Sequence, residues 1–196
     1  MQKIELEIIA LSHSITQSNS YAVVLGEVGG TRRLPIVIGG FEAQAIAVAL
    51  ENMQPSRPLT HDLMRNFMMS FDIQLQEVYI CDLQEGIFYS KLVCFSATDT
   101  IEIDSRTSDA LALAVRSGCP IYIYSHILDQ AGIANEASDK TTESSIPVAE
   151  PKQDQLSSLS IAELNNLLNE VLEQEDYIRA IDIRDEIAKR NAPKNP

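Results

Sequence analysis

Residues 101–123 read IEIDSRTSDALALAVRSGCPIYI, and they hold a strand, a polar turn, a helix, a glycine stop and a second strand. Ile101 and Ile103 alternate with Glu102, the period of two of a half-buried strand. Asp104-Ser105-Arg106-Thr107-Ser108-Asp109 then places two acids, one cation and three hydroxyls in a single turn. Ser105 or Thr107 is expected to cap the new helix by accepting its free N–H groups, with Ser108 in a similar role, and Asp109 suits the positive end of the helix dipole. Ala110, Leu111, Ala114 and Val115 form the apolar stripe. Gly118 is placed to end the helix, and Pro120 prevents its continuation. Capping leaves Arg106 unexplained. It is a guanidinium among acids at a strand-to-helix turn, where catalytic groups are often displayed.

Upstream, Lys3 to Leu11 alternates Ile4, Leu6 and Ile8 against Glu5 and Glu7, a strand with one wet face. Ser20 to Val28 and Arg32 to Ile38 read as two more strands joined at Gly29-Gly30, and Pro35 places the latter at an edge or bulge. Gly39-Gly40 leads into an alanine-rich helix over Phe41 to Asn52, apolar nearly all round and hence expected to be buried. Glu42 falls in its first turn, where an acid suits the dipole, and the two glycines with the helix start are a candidate anion seat. Pro55 and Pro58 flank a loop carrying Arg57. Thr60 is a natural N-cap and Asp62 a natural first-turn acid for the next helix, whose Leu63, Met64, Phe67, Met68 and Phe71 read as core. His61, beside an acid, is open to three roles: base, metal ligand or plain surface residue. Ile73 to Cys81, Gly86 to Ser96 and Thr100 to Ile103 follow as three strands, and a short segment, His126 to Gly132, closes the domain.

These elements predict an α+β fold: a mixed, largely antiparallel sheet with three main helices packed on it. The expected organisation is a domain over 1–133, a flexible polar linker over 134–158, and a C-terminal α-helical hairpin over 159–192. The hairpin opens with a capping box, Ser160 and Glu163, followed by an apolar stripe of Ile161, Leu164, Leu168, Val171 and Leu172. Tyr177, Ala180, Ile181, Arg184, Ile187 and Ala188 resume the stripe after an acidic turn. So short a hairpin buries little core alone, so it should dock on a protein partner or on a second copy.

The formal net charge is −13, a poor match for a sequence-reading DNA-binding protein, which neutralises phosphates with Lys and Arg. It does not weigh against an enzyme whose carboxylates hold cations. The three cysteines are widely spaced, with no CxxC or Cys/His cluster, and read as small buried hydrophobes in a reducing compartment. Glu5 and Glu7 interrupt the first apolar run, and no run approaches the roughly 20 residues of a membrane span, so the expectation is a cytoplasmic protein with no membrane contact.

Three stretches, taken together and in order, resemble the bifunctional nuclease domain family. They are Arg33-Leu-Pro-Ile-Val-Ile-Gly-Gly40 running into Glu42-Ala43, Arg57-Pro-Leu-Thr-His-Asp-Leu63, and Asp104-Ser-Arg-Thr-Ser-Asp-Ala-Leu-Ala-Leu-Ala114. The family usually has proline in its Ser-Arg-x-Ser-Asp turn. This chain has Thr107, which should loosen the turn slightly. The resemblance implies hydrolysis of DNA or RNA. The C-terminal hairpin in turn resembles the UVR motif of the excision-repair proteins UvrB and UvrC, through Glu175-Asp-Tyr177, Ala180 and Ile183-Arg-Asp-x-Ile187, with Ile178 and Ile181 departing from it. That resemblance implies a protein–protein contact element, with Tyr177 and Arg184 toward the partner.

Metal-assisted phosphodiester hydrolysis needs carboxylates for Mg²⁺ or Mn²⁺, a group to deprotonate water, and a cation for the phosphate. Glu42, Asp62 and Asp104 are the candidate metal ligands. His61, Asp62, Asp104, Arg106 and Asp109 are the candidate catalytic set, and Arg57, Gly39 and Gly40 the candidate substrate-binding residues. The competing reading is a non-catalytic binding module, in which the same residues are caps and internal ion pairs and the hairpin is the output. The edge at Pro35 and the alanine-rich helix point to a homo-oligomer.

Overall fold

Alternating apolar residues in eight strands build one mixed sheet in a computed structural model that describes residues 2–13, 20–134, 156, 159–173 and 176–191. The chain divides into two compact units, Met1–Val148 and Ala149–Pro196. In the first unit the order along the chain is β1 (Lys3–His13), β2 (Ser20–Glu27), β3 (Arg32–Gly39), α1 (Gly40–Leu50) and α2 (Thr60–Ser70). It continues with β4 (Ile73–Gln84), β5 (Ile87–Ser96), β6 (Asp99–Arg106), α3 (Thr107–Ser117), β7 (Ile121–Tyr124), α4 (Ser125–Ala131) and β8 (Ile133–Ala134). In space the strands run β6-β5-β4-β7-β1-β2-β3-β8.

Two antiparallel meanders, β1-β2-β3 and β4-β5-β6, are therefore joined by β7 between them. Tyr122 sits opposite Glu5 of β1 in antiparallel register and opposite Tyr79 of β4 in parallel register. A parallel pair cannot be closed by a tight turn, and the connection through β5, β6 and α3 is what permits it. The 101–123 stretch thus ends in the strand that welds the sheet. Among the described residues β3 has no partner on its outer side beyond Arg33, since β8 pairs only with Arg32 and Arg33, and Pro35 lies in that edge.

The core lies between one face of the sheet and α1–α3. Leu25, Leu34, Ile80, Leu92 and Ile123 from the strands meet Ile46, Leu111 and Leu113, all fully buried. Each such leucine contributes roughly 1.5–3 kcal/mol through burial. Helix α3 is buried from Thr107 to Ala114 apart from Asp109, and its alanines let α1 and α2 approach closely. Gly118 ends it at φ 65°, the left-handed conformation that glycine adopts without a Cβ clash.

Three expectations are corrected. No side chain caps α3: its N-cap is Arg106, Ser105 Oγ donates to the Arg106 carbonyl (3.0 Å), and Thr107 is buried. The Thr107 hydroxyl donates to Phe88 O (3.0 Å) and meets Ser90 Oγ at 2.7 Å, so its side chain ties the turn to β5. At α2 the N-cap is Leu59, not Thr60, and Asp62 reaches back to accept the Leu59 N–H at 2.9 Å. Finally, the Met/Phe stripe of α2 is not core. Met68 alone is buried, while Leu63, Met64, Phe67 and Phe71 are exposed, because α2 lies at the margin of the helical layer and turns only its other side inward.

In the second unit, α5 (Ile161–Glu173) and α6 (Tyr177–Asn191) pack on each other, burying Leu164, Val171, Tyr177, Ala180 and Ile183. The capping box forms: Glu163 N donates to Ser160 Oγ (3.3 Å), and Glu163 Oε2 accepts the Ser160 N–H at 2.7 Å. The Ser160 N–H, and after it the Ser160 hydroxyl, which also donates to Oε2 at 2.7 Å, hold the Glu163 carboxyl below its ordinary pKa. Asp176 caps α6 through the Arg179 N–H at 3.2 Å. Nearly all of the expected linker, and Glu175, lie outside the described residues.

Candidate active site

The first turns of α1, α2 and α3 open onto one cleft of about 780 Å³. Each helix starts directly from a strand or loop at the same end of the layer, so three N-terminal dipole ends border one space. Glu42 comes from α1, His61 from α2, and Arg106 and Asp109 from the turn into α3. These four form one network. His61 Nε2 lies 3.0 Å from Asp109 Oδ1. Arg106 binds Asp109 in bidentate fashion, Nε to Oδ2 at 2.7 Å and Nη2 to Oδ1 at 3.1 Å, and its Nη1 reaches Glu42 Oε1 at 2.9 Å.

The electrostatics follow from these bonds. Burial pushes the Asp109 carboxyl up, but hydrogen bonds and charge from Arg106 and His61 outweigh it and hold the pKa below the ordinary aspartate value. The same bonds, Asp109 first and Glu42 after, raise Arg106. Because a carboxylate only accepts, the proton in the His61–Asp109 contact sits on Nε2, and in the neutral imidazole Nδ1 is then the nitrogen with the lone pair. Arg106 spends three of its five N–H donors on the two acids, and its side chain is 68% exposed. Two donors remain for a ligand in the cleft.

Gly39 and Gly40 do not form an open anion seat. A methyl group on Gly39 would overlap Glu42 Oε2, so the chain's own carboxylate fills the space above the glycine. Gly39 has an extended backbone (φ −74°, ψ 165°) that any residue adopts, so its use here is room rather than flexibility.

The other candidates are placed apart from this network. Asp62 does not line the cleft; Arg116 Nε binds its Oδ1 at 2.6 Å. Burial raises the Asp62 carboxyl, while bonds from Arg116 and the Leu59 N–H prevail and lower it. Asp104 borders the cleft but sits across from Lys91 in the β5–β6 ladder, and its charge acts on Cys81. Among the described residues it makes no hydrogen bond or ion pair. Arg57 lies exposed on the loop between α1 and α2, outside the cleft lining. Tyr177 is buried, so its side chain packs within its own unit's core instead of facing outward.

A three-carboxylate metal site does not fit this placement. Among the described residues no three His, Cys, Asp or Glu side chains gather to hold a metal ion, and Asp62 is committed to Arg116. Sequence reasoning also missed Arg116, whose side chain is only 5% exposed and also donates from Nη1 to Ala45 O (2.7 Å) and Ala112 O (3.0 Å). The available signal was its position in the last turn of α3, directly after the apolar run Ala110 to Val115.

The profile of the bifunctional nuclease domain matches residues 23–136, more than half of the chain. The chain belongs to the bifunctional nuclease domain family. It is 43% identical over 126 residues to an uncharacterized protein of Mycobacterium tuberculosis, found in two strains, a match covering 63% of this chain and 75% of the relative. It is 25% identical over 197 residues to Bifunctional nuclease 1 of Arabidopsis thaliana, covering 89% of this chain and 57% of that protein. The matched bifunctional nuclease span contains Glu42, His61, Arg106 and Asp109, and the C-terminal hairpin lies beyond it. No helix among the described residues is long and apolar enough to cross a membrane.

Proposed function

We propose that the chain is a nuclease that hydrolyses phosphodiester bonds of DNA or RNA in the cleft between α1, α2 and α3. The observation that carries this reading is the His61–Asp109–Arg106 network at three converging helix starts. His61 Nδ1 accepts a proton from the attacking water. Asp109 holds the imidazole in that tautomer and is positioned by Arg106. The two remaining Arg106 donors bind the phosphate oxygens, where a bidentate guanidinium matches the geometry. Helix N-termini add a field that favours the anion.

Glu42, Asp104 and Asp109 outnumber Arg106 in the cleft lining, so a phosphate entering it gains from an accompanying divalent cation. Dependence on Mg²⁺ or Mn²⁺ belongs to the proposal on that ground. The test is hydrolysis of single- and double-stranded DNA and RNA by the purified full chain, with Mg²⁺, with Mn²⁺ and with a chelator. Arg106→Ala should lower kcat/KM by about 10²-fold, as removal of one charge-stabilising donor set does. Lysine should not restore it, because an ammonium cannot form the bidentate contact. Wild type that cleaves none of these substrates, or Arg106→Ala with full activity, overturns the reading and leaves the non-catalytic module.

The UVR-like hairpin is proposed as a docking element for a protein partner. Ile161 and Leu172 stay exposed on α5 despite their place in its apolar pattern, which supports the idea. A Leu172→Asp chain that keeps every protein contact of the wild type would remove it.

A further inference from the structure

Helix α2 carries its apolar stripe on the outside. At 100° per residue, Leu63, Met64, Phe67 and Phe71 fall within one quadrant of roughly 100°. The Phe67 and Phe71 rings lie 4.7 Å apart, and Met64 continues the stripe to the cleft, where Phe41 shares the lining. Leu63, Phe67 and Phe71 are each 57–64% exposed and Phe41 88%. Exposed apolar surface of this extent in a folded protein marks a contact site.

Two observations identify the occupant. The first is area. Three phenylalanines, each roughly 150–250 Å² when fully exposed, with Leu63 and Met64 offer on the order of 600 Å² of apolar surface. A stable interface takes about 800 Å² per partner, of which roughly 60% is apolar. The second is charge. The chain carries −13, so two copies repel over most of their surface. On α2 the exposed polar residues are Thr60, Asn66 and Ser70, none charged; Asp62 is neutralised by Arg116, the half-buried Arg65 falls on the side of the helix away from the stripe at 100° per residue, and the exposed Asp72 follows Phe71 at its end. Along the stripe from Leu63 to Phe71 two copies can approach without setting like charges against each other.

We propose that the outer face of α2, with Phe41, is the contact between two copies of this chain, α2 packing on α2 across a twofold axis. An isologous contact of this kind needs only a self-complementary patch, which an uncharged aromatic stripe is.

The experiment is sedimentation of the full chain over a concentration series, wild type beside Phe67→Glu and Phe71→Glu. The wild type should associate, and either variant should weaken association at least about 30-fold, the size expected for loss of a hot-spot side chain. Both residues are exposed in a single copy, so circular dichroism should be unchanged. Should a variant fail to fold, oxidative labelling of the wild type decides. Met64 should be protected at high concentration and reactive on dilution, while Met69, which points elsewhere on α2, stays reactive throughout. Wild type monomeric at every concentration, association indifferent to both glutamates, or Met64 as reactive as Met69 at high concentration would each overturn the proposal.

Discussion

His61→Ala is expected to lower kcat for phosphodiester hydrolysis by about 10²–10⁴-fold with KM little changed, the range for loss of a positioned general base. The expectation rests on placement. His61 lines the cleft at the start of α2 and is held by its Nε2 contact to Asp109, which leaves Nδ1 of the neutral ring as the accepting nitrogen. Asp109→Asn should cost less than His61→Ala, because the amide still occupies the space but no longer selects the tautomer or balances the imidazolium that forms. Added imidazole should recover part of the activity of His61→Ala and none of that of Arg106→Ala. Asp104→Ala provides the contrast. Asp104 lies outside the His61–Asp109–Arg106 network, so its loss should act through metal dependence alone. Full activity in His61→Ala, with wild-type melting, would end the base assignment.

Arg116→Met should lower stability by about 3 kcal/mol, within the range for breaking a buried ion pair from one side. Methionine keeps the packing of the stem, so the loss reports the guanidinium. The figure sits at the low end because Asp62 keeps 29% of its side chain in water. For a domain of this size it corresponds to a fall in Tm of roughly 6–12 °C. The pH dependence fixes the cause. In the wild type the Asp62 carboxyl lies below its ordinary value, so the pair's contribution is fully present above about pH 4 and is lost as pH falls through the depressed value. In Arg116→Met the carboxylate keeps only the Leu59 N–H, its pKa moves back up toward the ordinary value, and the loss of stability on acidification should become shallower than in the wild type. Equal acid profiles for the two proteins would show that the pair does not govern either.

The Arg116–Asp62 pair also shows why part of the site was illegible in sequence. Asp62 stands beside His61 in a stretch that carries the family resemblance, and as text it is as good a catalytic acid as Asp109. What separates them is which arginine each meets, and those arginines lie 54 and 3 residues away respectively. The short-range pair is readable from a turn. The long-range one exists only once α2 has packed against α3. Glu42 and Arg106, 64 residues apart, belong to the same class.

By itself the sequence determined the local elements and their order, because strand alternation, helix periodicity and the stops at Gly118 and Pro120 depend on neighbours within a few residues. It determined the capping box at Ser160 and Glu163 for the same reason. Tertiary structure alone decided three things. It set β7 between β4 and β1, in parallel with one and antiparallel with the other, since strand pairing depends on what can be reached in space. It turned the Leu63–Phe71 stripe outward, because helical periodicity marks an apolar face without saying what covers it. And it divided the acids between the Arg106 network and the Arg116 pair, since a carboxylate's role follows from the cation packed against it.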